Sequence, residues 1–333
     1  MTELVKVDEA DLRRHAQVIA ANTKSENTKR AYSSDIDQFF KWLKDRELPI
    51  EENSVNEYVL YLSYVGKKIT TINRALTSIS QWHKLQNIDS PVSPRIRETV
   101  KGIARTDGTK RKRARPLTWR ALDRLLDQVE GNAVGIRDRA LLLVGFAGAL
   151  RRSEIVAINI EHIEFVDEGM IISQTTSKTN QTGDERKIAI PFVDIKNRCP
   201  VKAVRNLIEY NQELDGPLFN SLGSAGRRML SVPKNGRLRS ASVSLIIKRY
   251  AKHAGYDPKD YSGHSLRSGF ATSASKAGLR SSAIMNHTGH KTHAVMMVYV
   301  RDGRAFVNHP FSYIVNHVST STNLPLQPAK PHL

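Results

Sequence analysis

A histidine and an arginine stand three positions apart in the C-terminal third of the chain, as His264 and Arg267. Residues at this spacing lie on the same face of a helix. A second histidine follows a glycine, as Gly289-His290, and Tyr299 comes nine positions after that histidine. A guanidinium and two imidazoles can hold the oxygens of a phosphate, and a tyrosine hydroxyl beside them can attack its phosphorus. These residues therefore predict a phosphate site with an oxygen nucleophile.

The order His-x-x-Arg, Gly-His, Tyr resembles the signature of the tyrosine recombinase (phage integrase) family. The resemblance extends upstream, because residues 137–154, RDRALLLVGFAGALRRSE, are similar to the family's first box, with Arg151 as its arginine. Lys178, within a Ser-Lys-Thr run, is similar to the lysine that the family carries on a hairpin. The resemblance covers about residues 25–305 and is to the two-domain group typified by Cre and Xer.

Phosphodiester chemistry explains why these residue types are needed. Negative charge grows on the non-bridging oxygens in the transition state, and the planar guanidinium groups of Arg151 and Arg267 match those oxygens in pairs. His290 can donate a hydrogen bond to the same oxygens, and preorganised donors of this kind are usually the largest catalytic contribution. The Tyr299 hydroxyl has an ordinary pKa near 10, so it needs a positive field and a proton acceptor.

The resemblance implies the remaining roles. His264 would accept the proton of Tyr299, as its counterpart does in the family, and Glu154 would orient another site residue. Lys178 would give a proton to the departing 5′ oxygen, which is otherwise a poor leaving group. Lys187 lies in the same hairpin region, so the sequence leaves it open as the alternative to Lys178.

The implied reaction is a transesterification through a 3′-phosphotyrosine. Tyr299 would take the 3′ phosphate and free a 5′ hydroxyl, and a 5′ hydroxyl from another duplex would reverse the step. Because the bond energy is stored in the phosphotyrosine, we expect no cofactor, neither ATP nor a metal ion. The sequence shows no pair of carboxylates placed for Mg²⁺, which agrees with this expectation.

The charge of the chain indicates a polyanionic partner. Of 333 residues, 51 are Lys or Arg and 33 are Asp or Glu, so the net charge is +18. Nucleic acid is the commonest such partner, and a basic protein without one is the alternative. Cys199 is the only cysteine, which excludes an intrachain disulfide and a cysteine metal cluster. Without a signal peptide or an apolar run of roughly 18 residues, we expect a cytoplasmic, nucleoid-associated protein with no membrane partner.

Hydrophobic periodicity predicts two folded domains. Residues 1–105 predict an all-helical core-DNA-binding domain, in which one helix starts at a capping box that begins with Ser54. Residues 106–116 are basic, with no apolar side chain larger than alanine, and predict a linker. Residues 117–318 predict an α+β catalytic domain, and the proline-rich residues 319–333 predict a disordered tail.

The fold class expected is mainly α with a small antiparallel sheet. Strand patterns at 163–166, 170–174 and 187–190 predict three strands joined by hairpins. The apolar run 140–150 predicts one buried helix, with Arg151 directly at its end.

Basic residues outside the site are candidates for contact with DNA phosphates, although a solvated surface is the alternative for any one of them. In the first domain they are Lys67, Lys68, Arg74 and Lys84. In the linker they are Lys110, Arg111, Lys112, Arg113 and Arg115.

The resemblance also implies an assembly. The two domains would form a C-shaped clamp around double-stranded DNA, with a dimer on each target site and a homotetramer on two sites. About 25 residues precede the first family-like helix, so we expect no additional arm-binding domain. The apolar residues within 305–318 are expected to dock on a neighbouring subunit.

Two other functions compete with a site-specific recombinase. A type IB topoisomerase has a similar active site, but the capped helical N-terminal part and the run HSLRSGFAT favour the recombinase. A DNA-binding regulator with a decayed site is disfavoured, because no catalytic position is missing. Integration, excision and resolution remain equally open as natural outcomes.

Overall fold

The computed structural model describes residues 26–107, 113–174, 186–212, 214–223, 236–290, 292–304 and 311. Its contacts divide the chain into one unit that ends at Lys112 and a second that begins at Arg113. The division falls within residues 106–116, where the sequence predicts a linker. Lys178, the basic residues Lys110, Arg111 and Lys112, and the predicted tail lie outside the described residues.

In the described part of the first unit, all regular secondary structure is helical. Its helices are α1 (Glu26–Lys44), α2 (Glu52–Tyr64), α3 (Ile69–Leu85) and α4 (Pro94–Asp107). Phe39, Trp42 and Tyr58 are buried in its core. The capping box at Ser54 is wrong: α2 begins at Glu52 with Glu51 as its N-cap, and Ser54 is buried in the first turn beside Val55.

The second unit combines helices with one sheet. Its elements are α5 (Trp119–Asp127), α6 (Ala133–Ala147), α7 (Arg152–Ala157), β1 (Ile163–Val166), β2 (Gly169–Gln174), β3 (Arg186–Pro191), α8 (Pro200–Asn211), α9 (Ser240–His253), α10 (Ser265–Lys276), α11 (Ser281–Thr288) and α12 (His293–Arg304). Short 3₁₀ turns at Ile160–His162 and Pro258–Asp260 precede β1 and α10. The predicted fold class, mainly α with a small antiparallel sheet, is confirmed.

The sheet has the strand order β1-β2-β3, with both neighbouring pairs antiparallel. Gly169 is the first residue of β2. A larger residue would not fit there, because an added Cβ would lie 2.2 Å from the Ile190 carbonyl oxygen on the paired strand β3. At the other end of this pair, Gln174 of β2 stands opposite Arg186 of β3. The predicted strands are confirmed to within one residue at each described end.

The apolar run at 140–150 is not a single helix. Residues 140–146 are buried in α6, the central helix of the core, but α6 ends at Ala147. Ala149 then adopts a left-handed backbone with φ of 48°, and Leu150 is fully buried. This turn brings Arg151 out of the core as the N-cap of α7 rather than as the end of α6.

Among the residues that the structure describes, no helix is both long enough and apolar enough to cross a membrane.

Candidate active site

Arg151 and Glu154 form a closed pair at the start of α7. The Arg151 backbone N–H donates to Glu154 Oε2 at 2.8 Å, and the Arg151 guanidinium forms an ion pair with Oε1 of the same carboxylate. The carboxylate is buried, whereas 23% of the Arg151 side chain stays exposed. Because the cap and the ion pair share one carboxylate, Glu154 fixes the direction of the guanidinium.

Arg267 lies in the first turn of α10 and is one of the most deeply buried side chains, at 1% exposure. Its Nη1 donates to the Ala149 carbonyl at 2.8 Å, so the left-handed turn before Arg151 also anchors this second arginine. Its Nη2 is buried and has no hydrogen-bond partner among the described residues. Burial, with the nearby Arg151 charge, lowers the pKa of Arg267 to about 10, which leaves it charged at neutral pH.

His264 and Tyr299 are hydrogen-bonded to each other. His264 is the N-cap of α10, and its Nε2 lies 2.9 Å from the Tyr299 hydroxyl on α12. His264 is partly exposed to solvent, but desolvation by the surrounding protein, together with Arg267 and Arg151, lowers its pKa. A neutral imidazole in this place can accept the phenol proton.

His290 follows the glycine that ends α11. Gly289 has φ of +66°, a left-handed conformation that glycine adopts without a Cβ penalty, and the chain turns there toward α12. The ring centroid of His290 lies 5.6 Å from that of Tyr299. Burial, then the charges of Arg267 and Arg151, lower the pKa of His290 to about 4.

Packing between α10, α11 and α12 holds these side chains together. Ala271 and Ala274 of α10, Ile284 of α11 and Met296 of α12 form a small buried cluster, and Tyr299 packs against it. Together with the Arg151–Glu154 pair on α7, which interacts electrostatically with Arg267, the predicted residues His264, Arg267, His290 and Tyr299 form one site.

Arg186 belongs to the same site, and the sequence reasoning did not find it. Its guanidinium donates to the His287 carbonyl and lies beside Gly289, where an added Cβ would be 3.3 Å from Arg186 Cζ. Burial lowers the pKa of Arg186, and the nearby Glu154 charge opposes that shift. Strand alternation in the sequence could have indicated this residue. Arg186 shares the inward face of β3 with Ile188 and Ile190, which is an unusual place for a cation.

Lys187 lies on the other face of β3. It alternates with the inward residues Arg186 and Ile188 and is exposed.

Two further contacts tie the site to its surroundings. His287 Nε2 lies 2.7 Å from the Ala147 carbonyl oxygen, which can only accept, so this nitrogen carries a proton. Gln174 Nε2 donates to the Glu154 carbonyl at 3.2 Å. The cross-strand pair Gln174 and Arg186 thus connects the end of the sheet to α7 on one side and to the end of α11 on the other.

This arrangement can bind an anion and activate a phenol beside it. A neutral histidine contacts the hydroxyl, and the buried Arg267, anchored to the Ala149 carbonyl, is close enough for the two groups to interact electrostatically. Among the described residues, no group of three His, Cys, Asp or Glu side chains is placed to hold a metal ion.

The predicted DNA contacts differ in their surroundings. Lys67, Lys68 and Lys84 are exposed on the first unit. Arg74 instead binds the buried Asp35 through two hydrogen bonds of 2.8 Å, so its charge is neutralised within the fold. In the second unit Arg113 is exposed, and Arg115 lies 3.6 Å from the Asp260 carboxylate.

Comparison with known proteins identifies the family. The model of the phage integrase family matches residues 115–304, and that of the phage integrase N-terminal SAM-like domain matches residues 15–86. The integrase/recombinase xerD homolog of Selenomonas ruminantium is 32% identical over 302 residues, covering 88% of this chain and 87% of that protein.

Solved structures show the same fold at low sequence identity. The XerH site-specific recombinase, in a post-cleavage complex with its palindromic difH substrate, aligns with a TM-score of 0.60 at 16% identity, over 87% of this chain and 79% of that one. A lambda integrase dimer bound to a COC′ core site aligns with a TM-score of 0.57 at 18% identity, over 87% and 76%. The phage integrase model matches more than half of the chain, and the xerD homolog aligns with most of it. The chain therefore belongs to the phage integrase (tyrosine recombinase) family.

Proposed function

We propose that this protein is a site-specific DNA recombinase that cleaves and rejoins DNA through a 3′-phosphotyrosine. The observation that carries the proposal is the 2.9 Å contact between His264 Nε2 and the Tyr299 hydroxyl, next to the buried Arg267. A phenol with a neutral acceptor and a guanidinium beside it is an activated nucleophile for a phosphodiester.

Each described residue then has one task. Arg151, held by Glu154, and Arg267, held by the Ala149 carbonyl, bind the non-bridging oxygens. His290 donates a hydrogen bond to one of them. Tyr299 attacks the phosphorus and passes its proton to His264, and the 3′ phosphate becomes attached to the phenol oxygen while the 5′ oxygen leaves.

Lys178 is the proposed donor of the proton to the 5′ oxygen. The outward, exposed position of Lys187 supports this choice, since the neighbouring inward residue Arg186 is the one that reaches the site. A substrate with sulphur in place of the 5′ bridging oxygen tests the role, because a thiolate leaves without a proton. Lys178→Ala should cleave this substrate near the wild-type rate and ordinary DNA slowly; equal impairment on both would rule out the acid role.

Double-stranded DNA is the proposed partner. The net charge of +18 supports it, as do the solved structures of XerH and lambda integrase, both of which are bound to DNA. We place the protein at the nucleoid, acting as a dimer on each site and a homotetramer on two sites, with residues 305–318 linking neighbouring subunits. Gel shifts on half-sites and full sites test the assembly: truncation after Arg304 should keep half-site binding and lose cooperative binding to full sites.

Covalent capture of DNA tests the function itself. The protein is incubated with fragmented genomic DNA and denatured, and the DNA that remains attached is sequenced. We expect a short common site in the wild type and no attached DNA with Tyr299→Phe, which loses one hydroxyl and should still bind DNA. Adducts with Tyr299→Phe would disprove the nucleophile.

Strand exchange separates a recombinase from a topoisomerase of similar chemistry. Two DNA molecules that carry the captured site should exchange strands in the presence of the wild-type protein. Relaxation of supercoils without exchange would instead identify a topoisomerase.

A further inference from the structure

The C-terminal end of α11 leads directly into the candidate site, because His290 is the second residue after this helix. The last four carbonyl groups of a helix have no N–H partner within it. The Met285 carbonyl accepts from the two N–H groups just beyond the helix, that of Gly289 at 2.7 Å and that of His290 at 3.2 Å. The His287 carbonyl accepts from the Arg186 guanidinium on β3. One of the final carbonyls of α11 is thus satisfied by a side chain from the sheet.

The same guanidinium covers the turn that follows the helix. Its Cζ, Nη1 and Nε atoms would lie 3.3, 3.4 and 3.6 Å from a Cβ added to Gly289. The central carbon is the nearest of the three, so the flat face of the group is turned toward the glycine; an edge would present a nitrogen first. Arg186 therefore contacts the chain at 287 and at 289, immediately before His290.

The helix α11 has no cation of its own for this place. Its sequence, SSAIMNHT, holds neither lysine nor arginine. The basic side chain of its last turn, His287, is engaged elsewhere, since its Nε2 lies 2.7 Å from the Ala147 carbonyl oxygen. A helix carries partial negative charge at its C-terminal end, where a cation is stabilising. Arg186 supplies that cation beside a site that has to bind a phosphate.

The sheet holds the guanidinium in place. Arg186 pairs with Gln174 of β2, and its neighbours on the same face, Ile188 and Ile190, are buried in the core. Among the described residues Arg186 forms no ion pair, and Glu154 acts on it only at longer range, against the fall in its pKa that burial causes. Burying a cation without a carboxylate partner costs free energy. The contacts of Arg186 with the end of α11 thus indicate a task in the site rather than in the stability of the sheet.

We propose that Arg186 is a positioning residue, whose guanidinium closes the end of α11 and fixes the turn that carries His290 into the site. The proposal rests on the proposed function insofar as His290 serves a phosphate. The hold on the turn is a property of the folded protein and can be measured without DNA.

Hydrogen exchange of the full-length protein tests the hold on the turn. Arg186→Lys keeps the positive charge without the planar group that covers Gly289, and Arg186→Gln loses the charge as well. The amides of Gly289 and His290 are protected by their hydrogen bonds to the Met285 carbonyl. NMR should show both amides exchanging roughly 3- to 10-fold faster in each variant, the value of one hydrogen bond. Unchanged exchange in both variants would overturn the proposal.

Cleavage of the captured site tests the consequence for catalysis. Arg186→Lys should slow formation of the covalent complex roughly 100-fold, the loss that a displacement of about 1 Å can cause, while the Kd for DNA changes little. In a His290→Gln background, Arg186→Lys should cause no further loss, because the two residues act as one unit. A rate near that of the wild type in Arg186→Lys would show that only the charge matters and would overturn the proposal.

The substrate with a 5′ bridging sulphur separates this role from that of Lys178. Arg186→Lys should be equally slow on this substrate and on ordinary DNA, because the defect lies in the placement of His290 and not in the proton for the leaving group. Recovery on the sulphur substrate would assign the loss to the hairpin that carries Lys178 and would contradict the proposal.

Arg139→Lys is the matched control, because Arg139 binds the end of another helix in a similar way. It is half-buried, and it donates to the Leu126 carbonyl in the last turn of α5 at 3.3 Å and to the Val129 carbonyl at 2.8 Å. Burial lowers the pKa of Arg139, as it does that of Arg186. Arg139→Lys should lose a similar amount of thermal stability and cleave at the wild-type rate.

An equal loss of cleavage in Arg139→Lys and Arg186→Lys would reduce the effect to general stability and overturn the proposal. If the wild type captures no DNA at all, the proposed function fails, and hydrogen exchange still decides whether Arg186 holds the turn.

Discussion

The histidines of the site are shifted toward their neutral forms. The pKa values of His264, His287 and His290 are all lowered, in each case chiefly by burial and additionally by Arg267. At neutral pH these rings are therefore uncharged and add no positive charge to a site that already holds arginines. This is what a proton acceptor for Tyr299 requires.

The lowered pKa of His290 predicts how the stability of the protein depends on pH. The ordinary pKa of 6.5 holds in the unfolded chain, and His290 titrates at about 4 in the folded protein. As the pH falls below 6.5, the unfolded chain binds protons that the folded protein does not, so stability is lost until the pH reaches the folded pKa. Urea unfolding over this range should show a free energy of unfolding that falls with pH, and less steeply in His290→Gln. The same slope in both proteins would contradict the low pKa of His290.

Short elements with defined ends position the site. α7 begins directly after Arg151, α10 begins directly after His264, and α11 ends at Thr288, with Gly289 as its C-cap just before His290. Arg151, His264 and His290 thus stand at helix ends, where the backbone direction changes and a side chain can leave the core, whereas Tyr299 lies in the middle of α12. The place at which each helix begins or ends, more than its length, therefore decides where these side chains lie.

Two of the glycines with positive φ, Gly289 and Gly278, form a matched pair for testing this idea. Gly289→Ala and Gly278→Ala should each lose about 1 kcal/mol of stability, because both positions have positive φ, +66° and +86°. An added Cβ at Gly289 would also press on the Arg186 guanidinium, whereas at Gly278 it meets none of the described atoms within 4 Å. Thermal unfolding should therefore show similar losses, and covalent capture should be reduced in Gly289→Ala alone. Equal capture by both variants would show that the turn tolerates displacement.

Site residues that match the spacing of a known family pattern were predictable, including the distant Arg151 and Glu154, whereas Arg186, which matches no such pattern, was not. His264, Arg267, His290 and Tyr299 lie within a short stretch, so their spacing predicts that they share a site. Arg186 reaches the site only because β3 pairs with β2, and the pairing register is a property of the folded sheet.

The break between α6 and α7 shows a second limit of sequence patterns. The run 140–150 is uniformly apolar, and hydrophobicity alone does not distinguish one buried helix from a helix followed by a buried turn. Gly148 was the available signal, because glycine commonly marks the end of a helix. Likewise, the basic character of Arg74 predicted a DNA contact, but only the fold reveals the buried Asp35 that holds it.

Over the whole molecule, the excess of basic residues predicts a strong salt dependence of DNA binding. Changing Lys110, Arg111, Lys112 and Arg113 to alanine should reduce the slope of log affinity against log salt by about 0.9 for each phosphate that the protein no longer neutralises. Specific and non-specific DNA should be weakened alike, because binding to phosphates carries no sequence information. An unchanged slope would leave this segment as a linker that does not touch DNA.

Single substitutions in the first unit provide the comparison. Lys84→Ala removes an exposed charge and should lower the slope, whereas Arg74→Ala should leave the slope unchanged. Arg74→Ala should instead lower the free energy of unfolding by about 1–3 kcal/mol, because it leaves the buried Asp35 without its cation. A reduced slope for Arg74→Ala would show that Arg74 contacts a DNA phosphate.

Three guanidinium groups lie near the single carboxylate of Glu154, those of Arg151, Arg186 and Arg267. This excess of positive charge affects how the protein responds to its buffer. Like charges held this close repel one another, and the fold maintains them against that repulsion. Small inorganic anions such as sulfate will relieve the repulsion on entering the site and will raise the melting temperature by mass action. The same anions will occupy the place of the DNA phosphate, so the buffer that best preserves this protein in storage will be the one that most inhibits it.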